Sequence, residues 1–348
     1  MLRKLASIQV VDKLESISGA DRIELASIMG WKVIVKKGEF AEGDKCVFFE
    51  IDSILPDGQP WAEFMRPRKF RVKTLKMRGV LSQGLALPLS ILGKPGMFRT
   101  LFYKITKLSP WKVGDDVTKT LKIKKHDPTV RGHGFDSGSF LAPFPPFIPK
   151  TDEIRLQSAL GLLSELKGHP FYISVKCDGT SGTFYKLNNE LFCCSRNRIV
   201  KPGDNVYWEI ARKYNLEKKL PEGIAIQGEI CSPGIQKNRL SLKEPELFVF
   251  DVLRIKGVEY FDLPQMQLFC QEHGLETVPI ERVVASPDNF DYSLENWIDL
   301  AKGKYPNGIN RREGIVVRPV TKVRSQVLRG GRVSFKVINN DYLLKDED

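Results

Sequence analysis

The stretch "ISVKCDGTSGTFY", residues 173–185, decides how the larger part of this chain is read. Ile173 and Val175 alternate with Ser174, as in a strand that buries one face. The strand then delivers Lys176, followed by Asp178 and Gly179 at a turn. A solvated hairpin end is one reading of such a lysine, and a nucleophile beside a carboxylate is the other. The spacing alone does not choose between them. Ordinary composition produces K-x-D-G by chance in roughly one chain in ten to twenty of this length.

The order of the charged residues downstream of Lys176 does choose. "CSRN", residues 194–197, sets Arg196 after an apolar strand. "IQGEI", residues 226–230, sets Glu229 on a strand that reads as buried, and "LFVFDVL", residues 247–253, carries Phe250-Asp251. "REGIVVR", residues 312–318, puts Glu313 at the start of another apolar strand, and "SFKVI", residues 334–338, puts Lys336 among apolar neighbours. Buried charges are costly unless paired. Structural ion pairs account for one or two of them, whereas the whole ordered set points to charges converging on one site.

The bulk numbers bound the setting. A chain of 348 residues suggests two domains, and 42% hydrophobic with 28% charged residues is ordinary for a soluble globular protein. No apolar run approaches the roughly 18 residues of a membrane span. "MLRKLASIQVV" at the start lacks the long apolar region of a secretory peptide. Six cysteines with no C-x-x-C pair, and only four histidines, argue against structural zinc and fit a reducing compartment. An intracellular location is expected, cytoplasmic, nuclear or in an organelle, as is a monomer.

The charge is unevenly placed. Residues 1–126 hold 24 Lys and Arg against 13 Asp and Glu, whereas the remainder holds 30 against 29. A basic module beside a neutral one suggests a polyanion held by the first and worked on by the second. Within residues 5–50, "LASIQVVDKLE", "IELASIMG", "WKVIVKK" and "CVFFEI" read as short strands between turn signals. They predict a small barrel of the five-stranded OB type, whose curved face commonly carries nucleic acid. "MRPRKFRVKTLKMRG", residues 65–79, has seven positive charges and no acid. Its alternation predicts a strand with several cations on one face, suited to a phosphate backbone. A lysine-protected edge strand is the competing reading.

These patterns divide the chain into a first domain at 1–126, a Gly-, Pro- and Ser-rich linker or extended strap at 127–150, and a second domain at 151–348. "DEIRLQSALGLLSEL" reads as a capped helix from Asp152, with further helices at 205–219, 264–273 and 293–304. Strands dominate from Phe171 onward.

The series Lys176-x-Asp178-Gly179, Ser195-Arg196, Gly228-Glu229, Phe250-Asp251, Glu313-Gly314 and Lys336 resembles the covalent nucleotidyltransferase superfamily: ATP-dependent DNA ligases, RNA ligases and mRNA capping enzymes. The match in order and spacing spans residues 171–340. "IPKTDEIRLQ", residues 148–157, is similar to the lead-in of one group of ATP-dependent RNA ligases, and the head with "GADRIELASIMGWKVIVKKGEFAEGDKCVFFEIDSILP", residues 19–56, together with "VKTLKMRGVLSQGLALPL", resembles the OB module preceding their ligase domain. The resemblance implies an α+β fold: an N-terminal OB-type barrel and a C-terminal nucleotidyltransferase domain of antiparallel sheets flanked by helices. One departure stands out. Many relatives carry Lys-x-Lys in the last motif, whereas here Lys336-Val337-Ile338 keeps one lysine, so a further phosphate contact is expected from elsewhere, such as the OB module.

The resemblance further implies a reaction on RNA with 5′-phosphate and 3′-hydroxyl ends, a nicked duplex being the expected form, through AMP carried on Lys176. Arg155, Arg196, Glu229, Phe250 and Lys336 would bind the nucleotide, with Phe250 stacking on adenine or serving simply as core. Asp178, Glu229 and Glu313 would hold Mg²⁺ or Mn²⁺, directly or through waters. A lysine amine with an ordinary pKa of about 10.4 is a poor nucleophile near neutral pH, and lowering that pKa by about 3 is worth roughly 4 kcal/mol. The metal and Lys336 are expected to lower it. No G-x-x-x-x-G-K-[ST] occurs, which removes a P-loop reading. Two alternatives remain at this point: a DNA ligase or capping-type enzyme of the same superfamily, and a non-catalytic RNA-binding protein with a dead ligase domain. Little sequence lies beyond Lys336, so a second OB module after it is not expected.

Overall fold

A computed structural model of the chain describes residues 4–93, 110–126 and 139–343. They form two compact units that part near residue 131. Strands of the first unit are β1 (Ala6–Val10), β2 (Lys13–Ser16), β3 (Ile23–Ile28), β4 (Trp31–Lys36), β5 (Lys45–Phe49), β6 (Ser53–Ile54), β7 (Thr74–Met77), β8 (Val80–Gln83), β9 (Leu85–Pro88) and β10 (Lys124–Lys125). β2–β3–β4 is an antiparallel meander, and β5 runs between β1 and β9 in a second sheet. The period of two in "WKVIVK" turns Trp31, Val33 and Val35 inward, onto Phe48 and Ala86. Ile8, Val47 and Phe49 build a second cluster with Leu55 and Val72. The small barrel expected from the short strands is present.

The basic run departs from its expected single strand. Pro60–Arg68 is a 3₁₀ helix, and Lys69 and Phe70 take left-handed φ of 50° and 59°. Only Thr74–Met77 pairs as a strand. Phe70 is buried in the core. The acids missing from the run come from outside it: Arg66 pairs with Glu63 and, at 3.0 Å, with Asp57, and Arg71 pairs with Asp52 at 2.8 Å. Part of the positive charge is thereby committed within the unit.

Among its described residues the second unit has twelve strands: β11 (Phe140–Pro143), β12 (Phe171–Val175), β13 (Thr180–Leu187), β14 (Glu190–Cys194), β15 (Arg198–Val200), β16 (Ile224–Cys231), β17 (Glu246–Arg254), β18 (Glu259–Tyr260), β19 (Glu276–Thr277), β20 (Ile280–Val284), β21 (Gly314–Pro319) and β22 (Phe335–Ile338). The larger sheet has the order β11-β15-β14-β13-β16-β17-β18, with β19 alongside β17, and the smaller is β20-β12-β21-β22. All pairings are antiparallel except β17 with β19. The helices Val206–Lys213 and Leu263–His273 pack apolar faces on the larger sheet, through Ile210, Met266 and Phe269 among others. Trp297 of the helix Leu294–Ala301 packs with Phe171 and Phe335 under the smaller one.

Three local expectations shift. Residues 127–138 of the linker stretch lie outside the described residues, whereas Phe140–Pro143 pairs with β15 as an edge strand of the second unit. The helix read from Asp152 is extended as far as Arg155, because the Ile154 carbonyl accepts the Lys336 amide at 2.8 Å and holds the lead-in beside β22; only Leu162–Leu166 is α-helical there. The helix read over 205–219 breaks at Asn215, whose φ is 53°, into Val206–Lys213 and Leu216–Lys219.

Candidate functional site

Lys176 leaves the end of β12, where Val175 stands opposite Ile315. Its amide donates to the Gly314 carbonyl at 2.9 Å. Glu313 immediately precedes β21, and the Lys176 ammonium donates to Glu313 Oε2 at 2.7 Å. On the other side of β21, Lys336 of β22 stands opposite Val316. Charges 160 residues apart along the chain therefore sit on three neighbouring strands. Glu229 arrives from β16 of the larger sheet, and its Oε1 accepts the Gly179 amide at 3.2 Å. Asp178 Oδ2 accepts Arg239 Nε at 3.1 Å, and the Tyr342 hydroxyl donates to the same carboxylate.

Close approach dictates the two motif glycines. A Cβ on Gly179 would lie 2.3 Å from the Ile230 carbonyl oxygen, and one on Gly314 would lie 2.1 Å from that of Val337. Only glycine lets β13 meet β16, and β21 meet β22, at these points.

The electrostatics are those of crowded acids. Burial pushes the Glu229 carboxyl up to about 7, and Glu313 and Asp178 add to the rise while Lys176 opposes it. Burial and Glu313 likewise raise Asp178. Burial disfavours the Lys176 charge, but Glu313, Glu229 and Asp178 outweigh it, so the ammonium is held above its ordinary value. The lowered value expected from sequence rests on a bound metal as well as on Lys336; within the chain itself the carboxylates prevail and the direction is upward. Lys336 takes the opposite direction. Burial, Lys176 and Arg155 bring it down to about 8. No hydrogen bond or ion pair to its ammonium forms among the described residues.

Among the described residues no three His, Cys, Asp or Glu side chains gather as direct ligands of a metal ion. The donor set fits a cation that keeps its waters: carboxylates near enough to raise one another, which a positive charge between them would relieve.

The remaining candidates are placed less centrally. Arg155 forms an isolated bridge with Lys336, and its charge reaches that ammonium. Arg196 is exposed on the turn after β14 and pairs with Asp152. Phe250 is half-buried at an irregularity in the β16–β17 register, where Gln227 faces Asp251 and Gly228 faces Val249. It packs with Phe248 against the small cluster of Cys177, Cys231 and Val278, directly behind the Lys176–Asp178 turn. Its neighbour Asp251 is a structural anion, salt-bridged to Arg332 and, at 3.6 Å, to Arg318.

Comparison with known proteins then supplies the family. An OB-fold domain profile matches residues 5–89, and an RNA ligase profile matches residues 169–338. Solved structures of an RNA ligase from Naegleria gruberi align over nearly the whole length. One of an alanine mutant with ATP and Mn has 31% identity and TM-score 0.83, covering 99% of this chain and 100% of that one. One with PPi has 31% identity and TM-score 0.82, covering 99% of each. The chain belongs to the RNA ligase family. No curated protein matches the ligase. Its N-terminal unit is an OB-fold domain, and its second unit carries the ligase fold with Lys176, Glu229, Glu313 and Lys336 in one place.

Sequence reading missed several residues of the site. Arg239 and Asp178 are both 8% exposed, an ion pair sealed from solvent, and the Arg239 guanidinium lies 4.5 Å from the Tyr342 ring centroid. Arg239 sits in a loop with no periodicity to mark it. Arg318 was visible in principle, since "GIVVRP" places a charge inside an apolar strand. It donates to the Phe250 carbonyl at 2.6 Å and to Glu153 at 2.7 Å. Tyr305 is buried with its hydroxyl between Lys176 and Glu313, and nothing in its local sequence signals this.

Proposed function

We propose that the ligase seals RNA 5′-phosphate and 3′-hydroxyl ends with ATP, through an adenylate carried on Lys176. The observation that carries this reading is the setting of the Lys176 amine: three carboxylates, Glu313, Glu229 and Asp178, act on it, and its charge and that of Arg155 meet the buried Lys336. Such a site both orders a lysine and offers positive charge to a phosphate.

The amine, once deprotonated, attacks the α-phosphorus of ATP. A P–N bond forms, the bond from the α-phosphorus to its bridging oxygen breaks, and pyrophosphate leaves. The 5′-phosphate of RNA then attacks the same phosphorus, the P–N bond breaks, and the amine recovers a proton. Last, the RNA 3′-hydroxyl loses its proton and attacks the activated 5′-phosphorus, and AMP departs. Lys336 is the group that meets the α-phosphate, aided by Arg155. Glu313 accepts the Lys176 hydrogen bond and fixes the amine's direction. Phe250 offers a ring to the adenine, and Arg196, exchanging its Asp152 partner, a cation to the nucleotide. A divalent cation held by Asp178, Glu229 and Glu313, largely through waters, would offset their field on the amine and the charge developing on the phosphate.

The test is labelling with α-³²P ATP in Mg²⁺ or Mn²⁺, followed by a denaturing gel. The wild-type band becomes labelled and the Lys176→Ala band does not. Labelling that survives Lys176→Ala overturns the reading. Joining assays on nicked duplexes and single strands of RNA then test the nicked-duplex preference.

A further inference from the structure

We infer that Tyr305 is a positioning residue for the ligase reaction, its hydroxyl locking the main chain of Lys176 to that of Glu313; the inference rests on Lys176 being the adenylylated group. The hydroxyl donates to the Lys176 carbonyl at 3.2 Å and accepts the Glu313 amide at 3.2 Å. One oxygen thus ties together the two residues whose side chains form the 2.7 Å ion pair of the site. Tyr305 is 1% exposed, so water does not compete for either bond.

The segment around Tyr305 is built to hold it still. The Tyr305 amide donates to the Asn310 carbonyl at 2.9 Å, and the Gly308 amide donates back to the Tyr305 carbonyl at 2.8 Å. Arg312, at the far end of the loop, donates to the carbonyls of Ala301, Leu300 and Lys302 at 3.2, 2.6 and 2.6 Å, closing the loop onto the preceding helix. The same loop reaches the third acid of the site. Asn307 and Asn310 side chains donate to the Arg239 carbonyl at 3.2 and 2.7 Å. Arg239 in turn holds Asp178. Residues 303–312 therefore fix Lys176 and Glu313 directly and Asp178 at one remove.

Tyr305 touches no reacting atom. Its effect passes through the direction of the lysine amine. A nucleophile must approach the α-phosphorus opposite the departing pyrophosphate, and a displacement of about 1 Å in such geometry costs up to about a hundredfold in rate. Nucleotide binding, spread over Lys336, Arg155 and Phe250, does not depend on this bond. The signature is a loss in the rate at saturating ATP without a matching loss in ATP affinity.

The experiment measures single-turnover labelling with α-³²P ATP, the ATP dissociation constant and the thermal midpoint, for full-length wild type, Lys176→Ala and Tyr305→Phe. Phenylalanine keeps the ring and removes only the bridging oxygen. The expected result is labelling slowed about tenfold or more at saturating ATP, with the dissociation constant within about twofold of wild type. A wild-type rate per folded molecule, or a loss that saturating ATP repairs, overturns the inference. If Tyr305→Phe does not fold, 4-fluorophenylalanine at position 305, which fills the space of the hydroxyl but cannot donate to the Lys176 carbonyl, replaces it. Slower labelling at unchanged ATP affinity supports the brace, and a wild-type rate overturns it. Lys176→Ala separates the two levels: labelling in that variant, or none in wild type, sinks the lysine adenylate and this inference with it. A dark Lys176→Ala beside a fully active Tyr305→Phe sinks the positioning role alone.

Discussion

Lys336 shows what the site costs the fold. Its amine titrates near 8 in the folded chain against an ordinary 10.5. Between those values the unfolded chain binds more protons, so stability rises with pH across that window, and below about 8 the full penalty stands. Lys336→Met is therefore expected to stabilise the nucleotide-free protein at pH 7 by about 1–3 kcal/mol, a gain that fades as pH approaches 10.5. Urea unfolding at a series of pH values checks this; a gain that persists at high pH would instead reflect better packing. The same variant should lose adenylylation, the usual exchange of stability for function. Lys336, like Glu229, was legible because a single charge interrupts an apolar strand, and Lys176 and Glu313 because each stands at the end of one. The direction of the Lys176 pKa was not legible, since it is set by the distances to three carboxylates that meet only on folding.

At the scale of elements, the lead-in before the first strand of the smaller sheet is secured by a buried charge network. Glu153 pairs with Arg318 at 2.7 Å and Arg332 at 3.5 Å, and Asp251 pairs with the same two arginines. Burial would raise the Glu153 carboxyl, but the two arginines hold it down at about 2. Its share of stability is present above the ordinary carboxylate range and is lost only as pH falls toward 2. Removing one member leaves buried charge uncompensated, so Asp251→Ala is expected to cost about 3–5 kcal/mol. Chemical denaturation of that variant measures the loss, and one within about 1 kcal/mol of wild type would move Asp251 out of the structural role. Sequence order drew attention to Asp251 as a motif position, yet its partners are β21 and the segment before β22. The misplaced helix at Asp152 has the same origin. Its apolar spacing is helical, but the pairing of Ile154 with Lys336 outweighs local preference. The hairpin β3–β4, whose partners lie next to each other in sequence, was read with near-correct ends, whereas "LASIQVVDKLE", read as one strand, divides into β1 and β2 because its two halves pair with different neighbours, β5 and β3.

At the scale of the whole molecule, each unit encloses apolar clusters of its own: Ile8, Val47 and Phe49 in the first, and Phe171, Trp297 and Phe335 among others in the second. Residues 1–126 carry a net +11 and the rest +1. Affinity for a phosphate backbone falls with salt roughly in proportion to the phosphates neutralised, at about 0.7 to 0.9 in logarithmic slope for each contact. Deleting residues 1–126 removes most of the excess positive charge and leaves the Lys176 site whole. The truncated ligase is therefore expected to bind RNA more weakly and with a flatter dependence on salt, while still labelling Lys176 with α-³²P ATP at a measurable rate. Not all of the lost charge counts, because Arg66 and Arg71 are already paired within the OB-fold unit. The slope should fall by fewer contacts than the charge difference suggests, with Lys73, Lys76 and Arg78 around the β7–β8 hairpin the first to substitute singly. Filter binding of nicked RNA duplex between low and physiological salt measures both slopes. Equal slopes for the full and truncated chains would assign the basic unit to something other than the RNA backbone. Loss of labelling on truncation would show that adenylylation by the second unit depends on the first.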